Sequence, residues 1–191
     1  WNSYSDYIDL INSIKPSVNS AILIGHGSVR NGSGLKNQKR LPTQAEYDEM
    51  KGWIREGMEA GAVGFSTGLI YEPGRYSSTE EIIELTKVIS SYDGVYSSHM
   101  RNEGNNLLLS IEETIKIGQG AETSIEISHH KVSGKDNWGL SEKSTEMINE
   151  ARDNGINVHS DQYPYIAGQS ALFAIHQNNA FNEGEGGLGT V

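Results

Sequence analysis

The chain has 191 residues, of which 36% are hydrophobic, 8% aromatic and 21% charged, and its formal net charge is -10. This length supports one domain with a sizeable core, and the composition is typical of an ordinary globular protein rather than a disordered or fibrous one. The absence of cysteine excludes disulfides and thiolate metal ligands. The acidic net charge leads us to expect no nucleic-acid or membrane partner. Because the sequence has no signal peptide or membrane-spanning run, we expect a cytoplasmic protein.

Five short apolar runs follow one another along the chain. They are rich in Val, Ile, Phe and Tyr and lack the 3.6-residue spacing of a helix, so each predicts a β-strand. The runs are SAILIGHG (20–27), AVGFSTGL (62–69), GVYSSHM (94–100), TSIEISHH (123–130) and NVHSDQYPY (157–165).

Amphipathic helices are predicted between these strands. Capping residues precede the periodic apolar positions, and glycines follow several of them. The predicted starts and stops are Thr43 with Glu46 and Gly61, Ser78 with Glu81, Asn106 with Gly118, and Ser141 with Gly155. The first two starts have the spacing of a capping box.

The alternation of strands and helices predicts a parallel sheet with helices outside it. From the third strand onward the repeat is about thirty residues, the length of one βαβ step. No Gly-x-Gly-x-x-Gly sequence follows a strand, which favours a partial (β/α)8 barrel of about five strands over a doubly wound sheet. Residues 1–176 are expected to form the barrel portion, and the Gly-rich residues 177–191 a mobile tail.

Two histidines follow neighbouring predicted strands. His99 and His129 are thirty residues apart, so we expect them at equivalent positions on the side of the sheet where parallel strands end. Adjacent strands lie about 4.8 Å apart, which would let the two imidazoles bind one metal ion; hydrogen-bonded packing residues are the alternative. Strand alternation turns His130 to the opposite face, as a structural residue. The remaining histidines, expected to be structural or at the rim, are His26, His159 and His176.

Other polar side chains also follow the predicted strands. Lys131 is either a solvated loop lysine or a cation for a substrate carboxylate. Tyr71 and Tyr163 are either packing residues or hydrogen-bond donors to a substrate oxygen. Arg101 and Glu103 are expected to form an ion pair at the rim, with contact to a substrate as the alternative.

Five motifs carry a family resemblance. In chain order they are GHGSVR, GAVGFSTGLIYEPG, YSSHMRNEG, ISHHKVSG with NWG after it, and DQYPYIAGQS. Over about residues 20–170 the chain resembles the N-acyl-D-amino-acid deacylases, or D-aminoacylases, of the amidohydrolase superfamily.

The resemblance implies a (β/α)8 metallohydrolase barrel that binds one or two zinc ions and hydrolyses the amide of N-acyl-D-amino acids to a carboxylate and a D-amino acid. By position, His99 and His129 would be zinc ligands. Lys131, Tyr71 and Tyr163 would line the substrate pocket, with Lys131 near the substrate carboxylate. Tyr163 would be the catalytic residue beside the scissile carbonyl.

The chain also departs from the family pattern. Members use a His-x-His pair, a cysteine and a late aspartate base, and this sequence contains neither His-x-His nor cysteine and stops before the last strand. We therefore expect strands three to seven of a barrel, an incomplete zinc site, and no activity in the isolated chain. Missing barrel segments, or a second copy, are expected to cover its open edges.

The sequence is also compatible with three other functions. A cyclic-amide hydrolase of the dihydroorotase or hydantoinase type would need a carboxylated lysine, and no lysine precedes His99 at a strand end. Lys131 could instead be the amine of a Schiff-base lyase. The last alternative is a barrel fragment without catalytic function.

Overall fold

The structure is a computed structural model that describes residues 2–169. Its strands are β1 (Leu23–Gly25), β2 (Gly64–Gly68), β3 (Val95–His99), β4 (Ser124–Ile127) and β5 (Val158–Ser160). Its helices are α1 (Tyr4–Ile14), α2 (His26–Gly32), α3 (Gln44–Glu59), α4 (Thr79–Ser90), α5 (Leu107–Ala121) and α6 (Leu140–Asp153), with 3₁₀ turns at Gly74–Tyr76 and Lys135–Asn137. All five predicted strands are present but are shorter than their apolar runs: His26 begins α2 instead of ending β1, β4 ends at Ile127 and β5 ends at Ser160. Helices α1 and α2 were not predicted.

The five strands form one parallel sheet whose spatial order follows the chain, β1-β2-β3-β4-β5. Every neighbouring pair is parallel. A doubly wound sheet reverses its strand order at a switch point, whereas a barrel adds each strand beside the last. The strand order is therefore that of a barrel, and the predicted five parallel strands with outer helices are confirmed.

One row of register partners forms the core between sheet and helices. Ile24, Phe65, Tyr96, Ile125 and Val158 pair across all five strands, and none is exposed to solvent. Burying one large apolar side chain stabilises a fold by about 1.5–3 kcal/mol, so this row contributes strongly to stability. Because side chains alternate along a strand, the next residues face the other way.

That opposite face of the sheet is polar. The next row of register partners consists of Gly25, Ser66, Ser97, Glu126 and His159. Ser97 also lies 2.7 Å, Oγ to Oγ, from Ser128 at the end of β4. The helices cover the apolar face, and the polar face points away from them.

Capping determines where α3 and α4 begin. In α3 the Thr43 Oγ1 accepts a hydrogen bond from the Glu46 N–H, and the Glu46 carboxylate accepts one from the Thr43 N–H, which completes the predicted capping box. In α4 the Ser78 Oγ accepts a hydrogen bond from the Glu81 N–H at 3.2 Å. The Glu81 carboxylate turns inward instead, so the second predicted capping box is only half formed.

The Glu81 carboxylate belongs to a buried polar cluster under α2. Its Oε1 forms an ion pair with Arg30 and lies 3.2 Å from His26 Nε2, and all three side chains are fully buried. Arg30 also donates hydrogen bonds to the carbonyl oxygens of Lys36 and Gln38, at 2.8 and 2.7 Å. His26 is therefore a structural residue, as predicted.

The predicted end of α5 at Gly118 is wrong. The helix continues to Ala121 and ends at Glu122, which has a left-handed backbone. Gly118 lies inside the helix because α5 approaches β4 so closely there that a Cβ would overlap Ile125. The glycine is required by packing, not by helix termination. The predicted cap residue Asn106 precedes Leu107 but makes no capping hydrogen bond.

The predicted tail, residues 177–191, lies outside the described residues, as does His176. None of the helices between residues 2 and 169 is long and apolar enough to cross a bilayer.

Candidate metal centre and active site

The rings of His99 and His129 lie side by side at the carboxyl ends of β3 and β4. Their centroids are 4.4 Å apart and their planes are inclined by 74°. His99 is the last residue of β3, whereas β4 ends at Ile127, before His129. The two imidazoles approach each other closely, as expected from their positions after neighbouring strands.

The backbone brings His129 to His99 in a different way from the one predicted, which was an equivalent position on the next strand. Ile127 pairs with Ser98, so Ser128 rather than His129 is the residue level with His99. His129 lies one residue further and adopts a left-handed backbone with φ 41°. Its N–H donates a hydrogen bond to Asp161 Oδ1 at 2.8 Å, which holds the turn. This conformation is unfavourable for a non-glycine residue, and such backbone geometry is concentrated at functional sites.

His99 has the electronic state that a metal ligand needs. Burial lowers the pKa of His99 to about 4, with the charge of Glu103 acting against this shift and those of His129 and Lys131 adding to it. The imidazole is therefore neutral at pH 7. Its Nε2 is buried and has no hydrogen-bond partner within residues 2–169. A buried imidazole nitrogen without a hydrogen-bond partner is a candidate ligand for a cation.

Glu103 is the third member of this group. The ligand atoms of His99, Glu103 and His129 all lie within 4.8 Å of one another. Glu103 Oε1 lies 3.1 Å from His129 Nδ1 and 2.7 Å from Lys131 Nζ. Burial raises the pKa of Glu103, but the contact with His129 and the nearby charges outweigh it and hold the pKa below its usual value.

The predicted Arg101–Glu103 ion pair is wrong. Arg101 instead forms an ion pair with Glu113 of α5, at 2.9 Å, and Glu103 turns the other way, toward β4. One sequence signal points to Glu103: it lies four residues after His99, in a loop at the end of the sheet where active sites form.

Lys131 is largely buried, with 11% of its side chain exposed. Its Nζ lies 2.9 Å from His129 Nδ1 and donates to the carbonyl oxygen of His129 at 3.0 Å. Together with the contact to Glu103, these interactions fix the ammonium beside the histidine pair. The reading of Lys131 as a solvated loop residue is therefore wrong.

The two predicted tyrosines border the same group. The Tyr71 ring lies 4.8 Å from the His99 ring, and the Lys131 Nζ lies 5.6 Å from the centre of the Tyr163 ring. Tyr71 follows β2 and Tyr163 follows β5. The carboxyl ends of four consecutive strands thus bring together all five residues predicted from the sequence.

The other described histidines lie apart from this group. His130 Nε2 is 2.9 Å from Ser144 Oγ of α6, and His159 Nε2 is 2.9 Å from Asn157 Oδ1. His130 is thus a structural residue that links the β4 loop to α6. Strand alternation does not explain its direction, because β4 has already ended.

The fold and the site together define a segment of a (β/α)8 barrel with a candidate histidine–carboxylate metal centre. No family model matches the chain. The chain is 37% identical over 172 residues to D-aminoacylase of Alcaligenes xylosoxydans xylosoxydans, covering 90% of this chain and 35% of that protein.

Solved structures show the same relationship. A crystal structure of D-aminoacylase, described as defining a novel subset of amidohydrolases, superposes with a TM-score of 0.84 at 37% identity over 88% of this chain and 35% of that one. N-acyl-D-glutamate deacylase from Bordetella bronchiseptica, complexed with zinc and a phosphonate inhibitor, gives a TM-score of 0.82 at 34% identity over 87% and 35% of the two chains.

The chain spans about a third of the length of the relatives it matches. Over that part its sequence is similar to D-aminoacylase and to other N-acyl-D-amino-acid deacylases, which confirms the predicted resemblance. The sheet accordingly has the fold of part of a (β/α)8 barrel and is similar to that segment of D-aminoacylase.

Proposed function

We propose that the protein containing this chain is a zinc-dependent hydrolase that cleaves the amide bond of N-acyl-D-amino acids. The observation that carries the proposal is the convergence of His99 and His129, with a buried His99 Nε2 that has no partner among the described residues. The names of the homologous deacylases, and the zinc in one of their structures, support the substrate class and the metal.

The residues of the site suit zinc. Neutral imidazole nitrogens and carboxylate oxygens are ligands that zinc binds in proteins, and His99 and His129 would hold the ion. Glu103 belongs to the same cluster. Zinc bound there would polarise the amide carbonyl and activate the attacking water.

The chain's own side chains would bind and orient the substrate. The Lys131 ammonium would receive the carboxylate of the D-amino acid by a charge-assisted hydrogen bond. The Tyr163 hydroxyl would donate a hydrogen bond to the carbonyl oxygen as negative charge develops on it. Because the Lys131 ammonium lies near the Tyr163 ring, the two residues could bind the carboxylate and the amide carbonyl of one small substrate. Tyr71 would pack along the substrate beside His99.

The Schiff-base alternative has less support. A lysine nucleophile needs a free neutral amine. The Lys131 amine instead contacts the Glu103 carboxylate and donates to the His129 carbonyl oxygen. These contacts favour an ammonium that binds anions.

Zinc titration and an enantiomer-resolved assay test the proposal. The protein that contains this chain should bind zinc tightly and release methionine from N-acetyl-D-methionine, with little release from the L enantiomer. A chelator should abolish the activity, and added zinc should restore it. The 191-residue chain alone is proposed to bind zinc weakly without turnover, because two histidines fall short of the three protein ligands usual in catalytic zinc sites. Hydrolysis that is insensitive to chelators would overturn the proposal.

A further inference from the structure

A single carboxylate oxygen connects the two functional parts of the proposed site. Glu103 Oε1 lies 2.7 Å from the Lys131 Nζ and 3.1 Å from His129 Nδ1. Lys131 is the residue proposed to bind the substrate carboxylate, and His129 is the residue proposed to bind zinc. Glu103 contacts both residues from another loop. It lies in the loop after β3, whereas His129 and Lys131 lie in the loop after β4.

The backbone holds Glu103 firmly in this place. The Glu103 carbonyl oxygen accepts a hydrogen bond from the Ser133 N–H at 2.7 Å, which joins the loop after β3 to the loop after β4. The preceding residue, Asn102, accepts hydrogen bonds from the N–H groups of Gly104 and Asn106 at 2.9 and 3.1 Å through its side-chain oxygen. The loop thus presents the carboxylate from a fixed backbone.

Burial makes the contacts strong. The Glu103 residue is 8% exposed and the Lys131 side chain 11% exposed, so little water competes for either charge. An ammonium on a long flexible stem has many rotamers, and a fixed partner is needed to hold it in one position. Neither contact of Oε1 has hydrogen-bond geometry, so the carboxylate acts on the ammonium and on the imidazole through its charge, at 2.7 and 3.1 Å.

We propose that Glu103 is a positioning residue whose carboxylate sets the spacing between the substrate-binding ammonium of Lys131 and the imidazole of His129. The inference rests on the proposed function, because it assigns Glu103 a role in binding that substrate. Glu103 touches neither the reacting atoms nor the substrate in this role.

The test compares Glu103→Gln with wild type in the protein that contains this chain. In the variant, an amine-acetylating reagent followed by mass spectrometry should modify Lys131 several times faster, with the other lysines unchanged. The KM for N-acetyl-D-methionine should rise roughly 10-fold with a smaller change in kcat, because a displaced ammonium weakens substrate binding more than the chemical step. Zinc should still bind at the wild-type stoichiometry.

The matched control is Glu113→Gln. Glu113 forms an ion pair with Arg101 of the same loop at 2.9 Å. Its loss should leave Lys131 acetylation and KM at the wild-type values. Equal effects of the two variants would show general loop anchoring and overturn the inference. If Glu103→Gln does not fold, Glu103→Asp tests the inference instead. Aspartate keeps the charge but is shorter, so Lys131 acetylation should be faster than in wild type, by less than is expected for Glu103→Gln.

The outcomes separate the two proposals. Unchanged Lys131 acetylation and unchanged KM in Glu103→Gln would overturn the inference alone. A loss of zinc affinity in that variant as large as the loss in His129→Ala would make Glu103 a metal ligand and also overturn the inference. Failure of the wild-type protein to bind zinc or hydrolyse the substrate would instead overturn the proposed function.

Discussion

The imidazole rings of His99 and His129 lie 4.4 Å apart, centroid to centroid, although thirty residues separate them in the chain. The crossover helix α5 and strand β4 bring the second histidine back to the first. A parallel sheet places consecutive strand ends on one side, and here this generates a two-histidine site.

Removing either histidine should abolish most zinc binding. His99→Ala or His129→Ala deletes a proposed ligand, so zinc affinity should fall by more than the roughly 10- to 100-fold that loss of an outer-shell partner costs. Competition with a zinc-sensitive dye measures the affinity. The matched control is His159→Ala, since His159 is exposed and hydrogen-bonded to Asn157. Equal losses in all three variants would argue against a metal centre at this pair.

Replacing Lys131 by methionine should weaken substrate binding. Methionine keeps an apolar stem of similar length but lacks the charge, and a hydrogen bond to a charged group is worth about 1.5–3 kcal/mol. The KM for N-acetyl-D-methionine should therefore rise roughly 10- to 100-fold in the complete protein. The carboxamide analogue of this substrate lacks the negative charge, and the variant should process it at the wild-type rate. A similar loss on both substrates would contradict the assigned role.

Glu81 should control the acid stability of the fold. Burial raises the pKa of Glu81, but hydrogen bonds with His26 and Arg30 and the Arg30 charge outweigh it and hold the pKa below 4.5. The folded state therefore favours the ionised carboxylate. The resulting stability is fully present above about pH 4.5 and is lost as the pH falls through the lowered pKa of the folded state.

The variant Glu81→Gln isolates this contribution. At pH 7 it leaves the buried Arg30 charge without its partner, so the free energy of unfolding should fall by about 3–5 kcal/mol. Urea denaturation should show that the difference from wild type narrows below pH 4.5. The control Glu84→Gln removes an exposed partner of Lys51 and Lys87 and should cost less than about 1 kcal/mol. A wild-type advantage that does not change with pH would refute the assignment.

Two glycines of α3 should respond in opposite directions to alanine. A Cβ on Gly57 would lie 2.6 Å from the Cδ1 of the fully buried Ile24, whereas a Cβ on Gly52 would meet nothing within 4 Å. Gly57→Ala should therefore lower the free energy of unfolding by about 1–3 kcal/mol through overpacking. Gly52→Ala should raise it by about 0.5–1 kcal/mol through helix propensity. Thermal unfolding of both variants checks the contrast, and a stabilised Gly57→Ala would show that Ile24 can repack.

The 191-residue chain should self-associate or bind a polypeptide that supplies the neighbouring barrel strands. Within residues 2–169, β1 and β5 are the outer strands of the sheet, and each leaves one hydrogen-bonding edge unpaired. Such edges pair with other chains when nothing covers them. Size-exclusion chromatography with light scattering measures the mass. A monomer with one cooperative unfolding transition at all concentrations would contradict this prediction.

Local sequence predicted the elements well because their causes are local. The β-branched and aromatic runs 94–100 and 123–130 predict β3 and β4, and the capping-box spacing of Thr43 and Glu46 predicts the start of α3. The end of α5 was not found. Glycine is the residue that most often follows a helix end, so Gly118 predicts one. Only the tertiary structure shows that this glycine lies within α5 and is needed because the helix packs closely against Ile125.

The sequence by itself determined the order of parallel strands and the five side chains that follow them, since both depend on residue periodicity and on the common direction of strand ends. Only the tertiary structure decided that Glu103 pairs with Lys131 rather than with Arg101, and that a left-handed turn brings His129 to His99. An ion pair forms according to distance and burial in the folded chain. Those quantities are set by strand register and loop packing, which separation along the sequence does not specify.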